Sequence, residues 1–238
     1  MTELAKLKQA LIRAADPRQV EGLQRFFKTA PGEYGAGDVF LGLKIPQIRV
    51  IVRDYLKLSY SDLASLLSSK YHEFRLAALF ILVKQYQVAN KEPEQIVNFY
   101  LSKLPRVNNW DLVDLSAPYI LGDYLLNKPA LRKSLLSKLA NSEILWERRV
   151  AIVACYPLIK AGSTLEIFKL TKQLAGDQED LIHKALGWML REVGKQVSEE
   201  VLKEFLRAQY PKLARTTLRY AIERFKEEER LWYLRGDF

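Results

Sequence analysis

The sequence is poor in the residues that most often support metal and redox chemistry. Its 238 residues include one cysteine and two histidines. A usual zinc site takes most of its four ligands from Cys and His, so this chain could build one only with several carboxylates. Cys155 lies in the apolar run 150–158 with no histidine nearby in sequence, which favours a buried thiol over a nucleophile. We expect no metal and no other cofactor.

Long apolar runs are also missing. No stretch of 18 apolar residues occurs, and the segment Met1–Lys6 has no signal-peptide core. The hydrophobic fraction of 49% and the mean hydropathy of -0.14 are ordinary for a soluble globular protein. These features predict a cytoplasmic protein that does not enter the membrane.

Acidic residues are outnumbered. The chain carries 37 Lys and Arg against 28 Asp and Glu, a net charge of +9, with a pI near 9.5. An excess of this size suggests a polyanionic partner, nucleic acid first and an anionic membrane second, although many soluble proteins are mildly basic.

Strand-like alternation is nearly absent, and the apolar residues recur at helical spacing instead. This pattern predicts an all-α chain. A helix begins at Asp16-Pro17 and carries Phe26 and Phe27, and the Gly-rich segment 31–38 that follows lacks the Lys-Ser/Thr of a phosphate-binding loop, so we interpret it as a flexible connector. The remaining predicted helices are Leu4–Ala15, Pro46–Leu58, Ser61–Leu67, Tyr71–Tyr86, Glu94–Leu104, Asn109–Leu126, Pro129–Ala140, Ile144–Ala161, Thr164–Ala175, Leu181–Gln196, Ser198–Ala208 and Arg215–Phe225.

The helices recur as pairs. Long helices begin at intervals of roughly 36 to 38 residues, each followed by a shorter partner, and the order Arg, aliphatic, Ala aligns Arg75 with Arg149. A two-helix repeat of this length is typical of HEAT-like or armadillo-like solenoids, whose inner helices line a concave groove. We therefore predict one domain over residues 1–238, built as an α-α superhelix with a concave basic groove.

The segment Asn108–Leu115 opens a central helix and holds the first candidate site residues. Trp110 and Asp114 stand four residues apart, so they share one helix face. An aromatic ring beside a carboxylate is a pair suited to a cationic, sugar-bearing substrate. Tryptophan at helical spacing is usually a core residue, and Trp110 could be one as well.

Basic residues occupy the starts of the later helices: Arg148, Arg149, Lys184, Arg215 and Arg219, with Trp188 one turn after Lys184. Arg148 and Arg149 are adjacent and therefore point to different faces, so only one can face the groove. The recurrence of Arg75 favours Arg149, although a role in repeat stacking predicts the same pattern. Asp114 could instead form a structural bridge with Arg149, and Trp188 could belong to the core. His183 is expected at a solvated helix start.

Four motifs in order, Phe40–Pro46 followed by Arg49, Asn109–Asp114, Leu145–Ala151 and His183–Glu192, resemble the AlkD family of DNA alkylation-repair glycosylases. The resemblance extends over nearly the whole length. It implies a monofunctional glycosylase that hydrolyses the N-glycosidic bond of cationic alkylpurines, such as 3-methyladenine and 7-methylguanine, in duplex DNA.

The resemblance also implies roles for individual residues. Asp114 corresponds to the catalytic aspartate, Trp110 and Trp188 to the sugar-facing tryptophans, and Arg149 to the phosphate-facing arginine. Phe26 stands where the family would allow a tyrosine, which removes a DNA-facing hydroxyl. Further expected backbone contacts are Lys44, Arg75, Arg148, Lys184, Arg215 and Arg219.

Two other functions fit part of the pattern. A catalytically silent HEAT-like protein that binds DNA structures needs the same scaffold and groove, but has no need for the set Trp110, Asp114, Arg149 and Trp188. A protein-binding scaffold predicts an acidic or apolar partner surface. For the enzyme, the expected partner is double-stranded DNA containing alkylated bases, and the protein is expected to act as a monomer.

Overall fold

A computed structural model describes residues 1–89 and 93–237, and the regular elements of these residues are all helices. Within them no strand forms, and the isolated bridge recorded joins Val39 to Tyr71. The chain divides into two compact units, Met1–Ser116 and Ala117–Phe238. The all-α prediction is confirmed.

The first unit contains seven α-helices in its described part, and short 3-10 turns follow α3 and α6. The helices are α1 Glu3–Arg13, α2 Pro17–Phe26, α3 Ile45–Val52, α4 Tyr60–Leu67, α5 His72–Val88, α6 Pro93–Ser102 and α7 Trp110–Ser116. Helix α5 is its centre, because His72–Val83 is buried on every side and α3, α4 and α7 pack against it.

The second unit opens with a π-helical turn, Pro118–Gly122, and then continues in helices. They are α8 Asp123–Leu125, α9 Pro129–Ala140, α10 Leu145–Val153, α11 Tyr156–Lys160, α12 Leu165–Gln173, α13 Asp180–Gln196, α14 Glu199–Gln209, α15 Arg215–Ala221 and α16 Glu227–Arg235. Helix α13 is central here. Gly187 lets α15 approach it closely, since a Cβ atom at Gly187 would lie 2.4 Å from Tyr220 Cβ and 2.6 Å from the Thr217 carbonyl oxygen.

The predicted and observed helices differ in three main places. The helix predicted over Ile144–Ala161 is divided, because the chain turns at Ala154 and the fully buried Cys155 before α11 begins at Tyr156. The helix predicted over Asn109–Leu126 passes through the π-helical turn at Pro118–Gly122. Helix α16 was absent from the sequence prediction.

A repeated side-chain anchor marks the helix starts. The fourth residue of α5, α9, α10 and α13 bonds the backbone carbonyl six residues before it, which ties the helix to the preceding turn. The contacts are Arg75 Nη1 to Ser69 O (2.9 Å), Arg132 Nη1 to Leu126 O (3.3 Å), Arg148 Nη1 to Ser142 O (2.9 Å) and His183 Nε2 to Asp177 O (2.7 Å).

The anchoring arginines also carry ion pairs. Arg75 contacts Asp38 at 2.6 Å, Arg132 contacts Glu166 at 2.8 Å, and Arg148 contacts Asp177 at 2.7 Å. By this geometry Arg75 corresponds to Arg148, so the sequence alignment of Arg75 with Arg149 was wrong by one residue. His183 replaces the arginine in α13 and is 9% exposed, which corrects the expectation of a solvated histidine.

Candidate functional site

The start of α7 presents Trp110 and Asp114 on one face. Trp110 is the first residue of the helix and Asp114 the fifth, and both side chains are half-buried. Asn109 starts the helix by accepting the Trp110 N–H at 2.8 Å. The two side chains that the sequence singled out therefore share one helix face within the first unit.

The indole of Trp110 is held by aromatic neighbours. It stacks on Phe27 at a centroid distance of 5.3 Å and an interplanar angle of 21°, and it meets the edge of Phe26 at 5.7 Å. Its Nε1–H donates to the Tyr34 hydroxyl at 3.3 Å. Phe26 is 62% exposed, so this aromatic cluster extends to the surface.

A buried charge network lies beneath this cluster. His72 Nε2 contacts Asp111 Oδ2 at 2.8 Å, and His72 Nδ1 lies 3.4 Å from Asp38 Oδ2. All three residues are buried, and Arg75 pairs with the same oxygen of Asp38 at 2.6 Å. The network joins the end of the Gly-rich connector, the start of α5 and the first turn of α7.

The network shifts the acidity of its members. Burial alone lowers the pKa of His72, but the carboxylates of Asp111 and Asp38 outweigh it and raise the pKa to about 9. Burial alone raises the pKa of Asp38, but His72 and Arg75 together hold it below its ordinary value. His72 is therefore an imidazolium at neutral pH.

A pH dependence of stability follows from His72. Its folded-state pKa of about 9 lies above the ordinary 6.5, so its contribution is fully present below about pH 6.5 and disappears as pH rises through 9. We expect the free energy of unfolding of the native protein to fall by roughly 3 kcal/mol more than that of His72→Gln between pH 6 and 9.5. Urea denaturation at both pH values measures this difference.

The comparison with the variant is needed because other groups act in the same direction. Burial chiefly raises the pKa of Cys155 and of Tyr100, so their ionisation in the unfolded chain also destabilises the fold at high pH. These effects are common to both proteins. Equal losses in the native protein and in His72→Gln would contradict the assignment of charge to His72.

The second unit holds most of the remaining predicted residues. Arg149 in α10 is 5% exposed, and its Nη1 donates to the Leu181 carbonyl at 2.7 Å. In α13, Lys184 forms an ion pair with Asp180 at 2.8 Å, and Trp188, one turn later, is half-buried. The contact with Lys184 is the largest of the causes that lower the pKa of Asp180.

The predicted basic contacts divide by exposure. Lys44 and Arg219 are exposed, as is Arg215, whose Nη1 donates to the Leu234 carbonyl. Arg75 is 1% exposed, and the side chain of Arg148 is 14% exposed in its pair with Asp177. The structure thus gives Arg75 and Arg148 the anchoring role described above, which leaves Arg75 no surface for a phosphate.

The charged candidates share one helical position. Asp114, Arg149, Lys184 and Arg219 are the fifth residues of α7, α10, α13 and α15, one position after the anchor in α10 and α13. Sequence reasoning missed the supporting residues Phe27, Tyr34, Asp38 and His72. One signal in the sequence could have indicated this region: His72 is one of only two histidines, and it lies at the start of a helix.

Two further findings concern the described residues. Across residues 1–89 and 93–237, no three His, Cys, Asp or Glu side chains group in a way that could hold a metal ion. In the same part of the chain, no helix combines the length and apolar character needed to cross a bilayer.

Comparison with known proteins gives the family. The fold and site define an all-helical protein with charged residues at recurring helix positions. A family model described as DNA alkylation repair enzyme matches residues 7–225, and the chain therefore belongs to this family. The chain is similar to a solved structure, "Predicted DNA alkylation repair enzyme from Enterococcus faecalis", with a TM-score of 0.73 and 18% sequence identity. The match covers 90% of this chain and 97% of the chain in that structure. At that identity the likeness shows the fold alone. No curated protein matches the sequence.

Proposed function

We propose that this protein is a DNA glycosylase of the AlkD type, which hydrolyses the N-glycosidic bond of cationic alkylpurines in duplex DNA. The observation that carries the proposal is the Trp110 and Asp114 pair on α7, with the indole fixed by Phe27 and Tyr34. Membership of the family supports a role in DNA alkylation repair. The net charge of +9 supports a polyanionic partner.

The proposed reaction requires the protein to supply a negative charge and to hold the substrate in position. An N-alkylated purine already carries positive charge and leaves readily, while the sugar gains oxocarbenium character in the transition state. A carboxylate at Asp114 stabilises that charge and orients or deprotonates the attacking water. An indole face at Trp110 attracts the electron-poor sugar, worth about 0.5–2 kcal/mol.

The resemblance assigns further contacts in the second unit. In the proposal, Trp188 gives a second indole for the sugar and Arg149 a guanidinium for a phosphate. Lys44, Lys184, Arg215 and Arg219 contribute contacts to the backbone that are independent of sequence. The proposal keeps the predicted HEAT-like solenoid, which the repeated anchors at the fourth helical position support, and it needs no partner subunit.

The first test is release of free base by the native protein. Duplex DNA carrying labelled 7-methylguanine is incubated with the protein, and the released base is separated from the DNA and counted. We expect release well above spontaneous depurination of the same DNA without protein. Duplex binding with no release above that background would reject the glycosylase and leave the catalytically silent DNA-binding function.

A further inference from the structure

A pocket lies among α13, α15 and α16 in the second unit. Its volume of about 660 Å³ lies within the range of sites that hold small molecules. Charged side chains dominate its lining, and Tyr220 adds an aromatic ring. The charged residues are Asp180, Lys184, Arg191, Arg219, Glu223 and Arg230.

Two of its four cations are already paired. Lys184 contacts Asp180 at 2.8 Å, and Arg191 pairs with Glu223. The side chains of Arg219 and Arg230, both exposed, form no ion pair or hydrogen bond with any residue that the structure describes. The pocket therefore keeps two guanidinium groups, with their positive charge, for a ligand.

Arg191 adds an unsatisfied donor to the pocket. Its Nε is buried and has no hydrogen-bond partner among the described residues, while its Nη1 serves the pair with Glu223. A buried N–H without an acceptor is unfavourable. Because this N–H is closed to solvent, the exposed guanidinium groups of Arg219 and Arg230 are the donors that a ligand can reach.

We propose that this pocket binds a phosphate group of a nucleic acid strand. Guanidinium groups fit phosphate oxygens in a two-pronged geometry, which Arg219 and Arg230 can supply. Tyr220 offers a face for the sugar or the base attached to that phosphate. The carboxylates of Asp180 and Glu223 limit the net positive charge, which matches one or two phosphates. The choice of a DNA strand as the source of the phosphate rests on the proposed function. A free nucleotide offers the same phosphate chemistry and is therefore tested separately.

The experiment measures affinity for undamaged DNA. The dissociation constant of a fluorescently labelled duplex is determined at several KCl concentrations for the native protein, the double variant Arg219→Ala/Arg230→Ala, and Arg235→Ala. Arg235 is the matched control, because it is an exposed arginine of α16 outside the pocket lining. Circular dichroism checks that all three proteins fold. Calorimetric titration with adenosine monophosphate and with inorganic phosphate tests the free ligands.

We expect the double variant to bind the duplex roughly tenfold more weakly at low salt, with a salt slope shallower by about two, and Arg235→Ala to resemble the native protein. Loss of adenosine monophosphate binding with unchanged duplex affinity would keep the phosphate pocket and assign it to a free nucleotide. Native-like binding of every probe by the double variant would overturn the proposal. Affinity is independent of base release, so a native protein that binds through the pocket but releases no base would reject only the glycosylase.

Discussion

Asp114→Asn is expected to reduce release of 7-methylguanine from duplex DNA by roughly 10²- to 10⁴-fold, which brings it close to the spontaneous rate. The asparagine has nearly the same shape but lacks the negative charge that the oxocarbenium-like sugar requires. Single-turnover release, with spontaneous depurination subtracted, measures the effect. Affinity for undamaged duplex should stay equal or improve, because a charge that repels the phosphates is removed.

The control for this variant is Asp54→Asn, which removes one exposed carboxylate from the same unit. Its release rate should match that of the native protein. Asp114→Asn must also unfold cooperatively near the native denaturant midpoint, so that loss of rate is separated from loss of fold. A folded Asp114→Asn that releases base at the native rate would show that this carboxylate is not the catalytic group.

Glu73→Ala is expected to lower the free energy of unfolding by about 4 kcal/mol or more, because three backbone donors lose a common acceptor. The Glu73 carboxylate is 1% exposed and accepts the N–H groups of Leu41, Gly42 and Leu43 at distances of 2.9 to 3.2 Å. It is therefore the centre of the segment that enters α3. Urea-induced unfolding followed by circular dichroism measures the change.

Two further variants make this result specific. Glu73→Gln keeps one acceptor oxygen and should lose less stability than Glu73→Ala. Glu21→Ala, at a side chain that is 87% exposed, should lie within about 0.5 kcal/mol of the native protein. A Glu73→Ala protein within about 1 kcal/mol of native would show that these three N–H groups find other partners.

The same segment explains the glycine of the N-terminal motif. Gly42 has a φ of +90°, and a Cβ atom there would lie 2.0 Å from the Asp16 carbonyl oxygen. The sequence motif Phe40–Pro46 was noticed through its resemblance to a family. Its physical basis is a tight turn wrapped around the buried carboxylate of Glu73, which cannot be inferred from the motif alone.

Helical periodicity predicted most of the fold because most helices bury one regular face. Helix α16 escaped prediction for the same reason: Tyr233 is its one buried residue, and a single buried position has no period. The division between α10 and α11 falls just before Pro157. A proline in a helix interior removes an N–H donor and clashes with the preceding turn, and this local signal has no period. Periodicity describes faces but not breaks.

The candidate site was predictable in part. Trp110 and Asp114 lie four residues apart, so their common face follows from helix geometry alone. The network beneath them does not, because His72 is separated in sequence by 34 residues from Asp38 and by 39 from Asp111. No local pattern links residues at such distances. The role of Arg75 was likewise open from the sequence. An arginine that contacts the groove ligand and an arginine that anchors the helix would both recur at the same position of each repeat.

The rate at which Cys155 reacts with a thiol reagent can measure local opening in the second unit. It is the lone cysteine of the sequence, it is fully buried, and its Sγ–H donates to the Ala151 carbonyl. Burial raises the pKa of its thiol, so the folded protein holds no reactive thiolate. A thiol-modifying reagent can therefore react only while the region between α10 and α11 is open. The labelling rate under native conditions reports the opening free energy of that region, with no engineered reporter.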